Sequence, residues 1–179
     1  MKPNWFVAFP YPEELELSEP PSSVRLFSFD DRHVTAAFLG PVDESTALAA
    51  WEMLELVHLD PISSTLGRCR MLGGRPPSAI CAIVDVGFDG LCDRIQTLRA
   101  ELKAHGLPGT DPRRPLPHVT LARIRRRAPS EDRRAARAWA DALVFGHGTR
   151  IDELALYTWS RDRSLALFRK VRSRRLDGR

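Results

Sequence analysis

Two stretches of this 179-residue chain open alike: RHVTAAFLG at residues 32–40 and PHVTLARI at residues 117–124. Each His-Val-Thr begins an apolar run of strand character, and in a strand residues two apart share a face. His33 and Thr35 then point one way and Val34 the other, and His118, Thr120 and Val119 repeat the arrangement. What constrains the fold most is that both copies occupy the same place in a longer pattern. NWFVAFP reads as a strand, HVTAAFLG as a second, DESTALAAWEMLELVHL as a helix with an acidic first turn, and STLGRCRMLG as a strand. SAICAIVDVG then reads as a strand, FDGLCDRIQTLRAELKAHGL as a helix closed by Gly106, and HVTLARIR as a strand. SEDRRAARAWADALVFG follows as a helix with Ser130 as its N-cap. IDELALYTW and LALFRKVR end the chain as strands around the turn SRDRS. The order strand, connection, HVT strand, helix, strand thus occurs twice, with a seam near GGRPPS at residues 73–78. A duplicated α+β chain is expected, in which strands can exchange between the halves.

An imidazole beside a hydroxyl on one sheet face joins a proton-transfer group to a donor for an anionic oxygen. A single HxT is a weak motif, because a strand histidine is more often structural; two copies at equivalent points of a repeat point to function. His147-Gly148-Thr149 also satisfies HxT, but it carries Gly at its centre, follows a helix end and precedes a strand. FGHGTR therefore reads as a turn. His58 lies near a helix end, and His105 sits before Gly106, where a helix dipole favours a cation. In-line displacement at phosphorus needs a base for the attacking group and an acid for the departing oxygen, on opposite sides of the phosphorus. His33 and His118 can divide that work, with Thr35 and Thr120 donating to the non-bridging oxygens.

Composition narrows the alternatives. With 43% apolar residues the chain can bury a full core, as one large domain or two small packed lobes. No apolar run approaches the roughly 18 residues of a membrane span, and the N-terminal apolar stretch is too short for a signal peptide, so no membrane partner and a cytoplasmic location are expected. Cys69, Cys81 and Cys92 are odd in number and lack CxxC spacing, which favours buried free thiols over disulfides or zinc. The histidines lack carboxylate or thiolate company, so neither metal nor other cofactor is expected. Residues 1–90 carry 6 basic and 13 acidic side chains and residues 91–179 carry 21 and 10, an asymmetry that suits a polyanion such as RNA. Since 24 of the 27 basic residues are Arg, genomic composition and a solvated face compete with that reading.

RHVTAAFLG and PHVTLAR, with the opening NWFVAFPYPEE and the closing FGHGTRIDELALYTWS, resemble the 2H phosphoesterase superfamily. The likeness is strongest to its RNA 2′,3′-cyclic phosphodiesterase branch, historically called 2′-5′ RNA ligases. The resemblance implies a single bilobal domain over residues 1–179, two antiparallel sheets lining a central cleft, and helices packed outside. It implies metal-independent hydrolysis of 2′,3′-cyclic phosphate ends of RNA or nucleotides to 2′-phosphates, with His33 as general acid and His118 as general base. A monomer is expected. The resemblance also makes Arg123, five residues after His118, a phosphate ligand, a role that suits a guanidinium fork. Strict alternation puts that odd offset on the wrong face, so the role requires a twist, a bulge or the strand's end. Phe38 holds the equivalent offset after His33, where it can stack on a base or, the favoured expectation, pack in the core. The family's usual helix between the first strand and first motif is not expected here, because Pro12, Pro20 and Pro21 interrupt the segment. Two other readings are an enzyme acting on a small cyclic phosphate or a 2′-5′ linkage, and a non-catalytic binder of RNA ends.

Overall fold

Every run with strand or helix periodicity forms that element in the computed structural model, which describes residues 2–176. In chain order these are β1 (Trp5–Pro10), β2 (Val24–Leu26), a 3-10 turn (Phe29–Asp31), β3 (His33–Gly40), α1 (Glu44–Glu55), β4 (Ile62–Leu72) and β5 (Ala79–Val84). They continue with α2 (Phe88–Ala104), β6 (His118–Ile124), α3 (Ser130–Asp141), β7 (Gly148–Ile151), β8 (Glu153–Trp159) and β9 (Phe168–Arg175). The architecture is α+β, with three helices and a large antiparallel sheet. The strands follow one hydrogen-bonded path, β7-β4-β5-β6-β3-β1-β8-β9, with β2 added beside β6. The expected pair of separate sheets is therefore replaced by a continuous one. Its narrowest junction lies between β3 and β6, registered at one pair, Val34 with Val119.

Chain neighbours are not always sheet neighbours. The strand after α1, β4, pairs with β5 and β7, whereas β8, late in the chain, pairs with β1 and β9. Helices α1 and α2 cover one face, where Trp51, Leu54, Leu91, Ile95, Leu98 and Leu102 share a core with Val34 and Val119. Burying each of these valines contributes roughly 1.5–3 kcal/mol. That gain requires the histidines and threonines to face the other way, so the core orients the site. Helix α3 packs Ala136 and Ala140 against Val24, Ile80, Ala122 and Ile124. On the face away from α1 and α2, Phe6, Ala8, Ala155 and Tyr157 form a smaller apolar floor.

Local expectations changed in three places. Pro129, not Ser130, caps α3, and Ser130 is its first helical residue. Helix α1 ends at Glu55, so His58 lies beyond it, 3.6 Å from Asp60. FGHGTR is not all turn: Gly148–Ile151 form β7 against Ile62–Thr65, an edge pairing set by distant β4 and invisible in local propensity. His147 stays outside the strand. Between β1 and β3 the described residues hold only β2 and the 3-10 turn, as the prolines require. No helix among the described residues is long and apolar enough to cross a membrane.

Candidate active site

The Val34–Val119 pair is antiparallel, so its flanks meet crosswise: His33 stands across from Thr120, and Thr35 across from His118. A local two-fold relation results, with one imidazole and one hydroxyl on each side. Each motif strand then carries a bulge. On β3, Val7 pairs with Ala37 but Ala8 with Thr35, leaving Ala36 extra. On β6, Ile80 pairs with Ala122 but Cys81 with Thr120, leaving Leu121 extra. One extra residue reverses the alternation. Phe38 and Arg123 are thereby turned onto the same face as the motifs, and the run from His to Phe38 matches that from His to Arg123 in burial, position by position. The bulge resolves the conflict over Arg123, which lines the cleft. It also overturns core packing for Phe38, which is 56% exposed and borders two adjoining cavities.

The first cavity, about 330 Å³, is lined by His33, Thr35, Thr120 and Arg123 among others. The second, about 530 Å³, holds His118 and shares Thr35 and Phe38 with the first. Four of the five residues singled out in the sequence therefore line the first cavity, and the fifth, His118, lines the adjoining one.

The two imidazoles differ in surroundings. The His33 ring lies 4.8 Å from Phe6, 5.4 Å from Tyr157 and 5.6 Å from Phe168, centroid to centroid. Its Nδ1 is buried without a hydrogen bond of good geometry. Burial pushes the imidazole down to about 4; the main chain and carboxylate of Asp31 pull it up, and His118 pushes it down. Asp31 is itself buried, and its carboxylate accepts from Ser28 Oγ at 2.8 Å and from the main-chain N–H groups of Leu167 (2.8 Å) and Phe168 (3.0 Å). It thus ties the approach to β3 to the start of β9 and holds Phe168 edge-on to His33. His118 Nδ1 lies 2.6 Å from the Leu116 carbonyl. Donation there leaves Nε2 of a neutral ring free to accept a proton.

Three further contacts had no sequence signal: two join residues far apart in the chain, and the third depends on how the β8–β9 connection folds back. Cys81 Sγ lies 3.5 Å from Thr120 Oγ1. Burial pushes the Cys81 thiol up, so it keeps its proton and can donate to Thr120, freeing the threonine hydroxyl to donate to an anion. Arg99 of α2 donates from Nε to the carbonyl of Ala36, the bulged residue, at 2.9 Å, and from Nη1 to the carbonyls of Asp111 and Arg113. Arg163 lies over the Trp159 ring at the cleft. Among the described residues no cluster of three or more His, Cys, Asp or Glu side chains is arranged to hold a metal ion.

Paired His-x-Thr strands related by an antiparallel crossing, at a cleft in an α+β sheet, define the two-histidine phosphoesterase class. The chain belongs to the 2′-5′ RNA ligase superfamily, which its sequence matches over residues 19–163. Among solved structures, TT0787 of Thermus thermophilus is 22% identical with a TM-score of 0.69, covering 97% of both chains. E. coli LigT complexed with 3′-AMP is 18% identical with a TM-score of 0.69, covering 99% of this chain and 100% of that one. A phosphoesterase at 18% identity and TM-score 0.68 covers the same shares. At these identities the likeness shows the fold. No curated protein matches the sequence.

Proposed function

We propose that this protein opens 2′,3′-cyclic phosphates at RNA ends or on nucleotides to 2′-phosphates, with no metal in the reaction. The observation that carries the reading is the crosswise His-Thr geometry about Val34–Val119, since in-line displacement needs its base and its acid on opposite sides of phosphorus. His118 takes a proton from water as the water oxygen bonds to phosphorus. The bond from phosphorus to the ribose O3′ breaks, and His33 supplies the proton that O3′ receives. Thr35, Thr120 and Arg123 donate to the non-bridging oxygens as charge builds there. The order of acid and base follows the family resemblance. A half-buried, neutral His33 acquires its proton as the substrate binds, because an adjacent phosphate anion favours the imidazolium. Solved forms of LigT with 3′-AMP, ATP, NADP+ and phosphate support a nucleotide as substrate class. The exchanged strands and matched bulges support a duplicated, two-lobed domain with its seam at the β4–β5 connection.

The test is incubation of purified protein, with chelator present, with a nucleoside 2′,3′-cyclic phosphate, followed by identification of the product isomer. The 2′-phosphate is expected. Loss of turnover on chelation with rescue by one divalent ion would sink the metal-free mechanism, and retained binding of RNA ends without turnover would make the protein a binder.

A further inference from the structure

Two arginines, Arg123 and Arg163, line the first cavity, and a third, Arg25, stands beside them; none of the three has an ion-pair partner among the described residues. Arg25 on β2 is registered opposite Arg123, and its Nη2 donates to the Arg163 carbonyl at 2.9 Å. The Arg163 guanidinium carbon lies 5.0 Å from the Trp159 ring centroid. Trp159 and Arg163 border the same cavity as His33, Thr35, Thr120 and Arg123.

The connection that carries Arg163 is internally bonded. Ser160 N–H donates to the Leu167 carbonyl at 2.9 Å, and Ser160 Oγ to the Asp162 carbonyl at 3.1 Å. The main chain and hydroxyl of Ser164 both donate to the Asp162 carboxylate. Asp31 anchors its far end through Leu167 and Phe168. The stack is therefore pre-formed, which lowers the entropy of binding on it. In the second cavity the arginines are already engaged: Arg113 with Asp111, Arg114 with Asp89, and Arg99 with carbonyls. Uncompensated positive charge thus lies on the Trp159 side of the reaction centre, next to a flat stacking surface. A planar base and a phosphate are the chemistry that this pairing fits.

We propose that the Trp159–Arg163 stack, with Arg25, is a second nucleotide subsite that takes the nucleotide immediately upstream of the reacting ribose. The preferred substrate is then an RNA 3′ end of at least two nucleotides. The upstream base lies on the open face of the Arg163 guanidinium, whose other face rests on Trp159, and Arg25 meets the intervening phosphodiester. Phe38, exposed beside Thr35, offers a separate face to the terminal base. This inference rests on the cyclic phosphodiesterase reading above.

The experiment compares kcat/KM for a nucleoside 2′,3′-cyclic phosphate with that for a dinucleotide ending in the same group, in the wild type, Arg163→Ala and Arg163→Lys. Affinities for the corresponding mononucleotide and dinucleotide 2′-phosphates are measured by calorimetry in parallel. Arg163 is exposed, so neither substitution disturbs the core. The wild type should prefer the dinucleotide, and Arg163→Ala should cut that preference at least about fivefold. Lysine, which keeps the charge without the flat fork, should restore only part of it. Equal losses on both substrates would place the reacting base on the stack and overturn the proposal. A wild type without dinucleotide preference would overturn it too, while leaving the hydrolysis reading intact. If neither substrate is turned over, the hydrolysis reading falls, and the Arg163 dependence of the two affinities still decides the subsite.

Discussion

At the scale of single residues, the two histidines share a motif but not an environment. His33→Ala and His118→Ala should each lower turnover by roughly 100-fold or more while the protein stays folded. His147→Ala, an exposed HxT histidine outside the cleft, is the matched control; an equal loss there would refute the crosswise site. The aromatic cage around His33 has a consequence for stability as well. Its imidazole is neutral down to about pH 4 in the folded protein but takes a proton near 6.5 once unfolded. As pH falls from 6.5 to 4 the unfolded state therefore binds the extra proton, and stability drops by up to about 3 kcal/mol from this group alone. A His33→Gln variant should lose that slope in denaturant titrations at pH 7, 5.5 and 4; an unchanged slope would sink the account. Asp31→Asn should keep much of the packing but remove the charge that pulls the His33 value up. The limb of the kcat/KM profile that belongs to His33 should then move to lower pH. In the wild type the same limb should lie higher in kcat, where bound phosphate favours the imidazolium, than in kcat/KM.

At the scale of elements, one inserted residue per motif strand decides what the cleft contains. Without the bulges at Ala36 and Leu121, alternation would send Phe38 and Arg123 to the opposite face. Arg99 holds the first bulge by bonding the Ala36 carbonyl, and through its other contacts ties that bulge to the 109–116 segment bordering His118. Arg99→Met keeps the aliphatic stem and removes these bonds. It should cost about 2 kcal/mol in chemical denaturation and lower kcat/KM for a mononucleotide cyclic phosphate. Unchanged stability would mean that the bulge is held by the strands alone.

At the scale of the whole molecule, the basic second half of the chain is delivered to both flanks of the cleft. Arg123 leads out of it into Arg125, Arg126 and Arg127, while Arg163 enters it from the β8–β9 connection. The last residues of the basic C-terminal run, 177–179, lie outside the described residues. Arg125→Ala with Arg126→Ala should weaken oligonucleotide binding and flatten its salt dependence, with a slope change of roughly 0.7 per lost phosphate contact. Titrations across a salt series check this. An unchanged slope would make the run a solvated face.

The sequence by itself determined which residues form the motif strands and which way they face. Period-two burial of Val34 and Val119 leaves His33, Thr35, His118 and Thr120 only one other side to occupy. It also carried the recurring order of elements, because that order is a local pattern that needs no partner to be seen. Tertiary structure alone decided that the motif strands meet antiparallel at one pair, that β4 pairs with β5 and β7 and β8 with β1, and that β7 is a strand at all. It alone produced the bulges that turn Phe38 and Arg123 into the cleft, and the cage of Phe6, Tyr157 and Phe168 that keeps His33 neutral. The physical reason is common to all of these. Strand pairing, bulge position and desolvation are interactions between residues tens to more than a hundred positions apart, and local propensity contains no term for the partner.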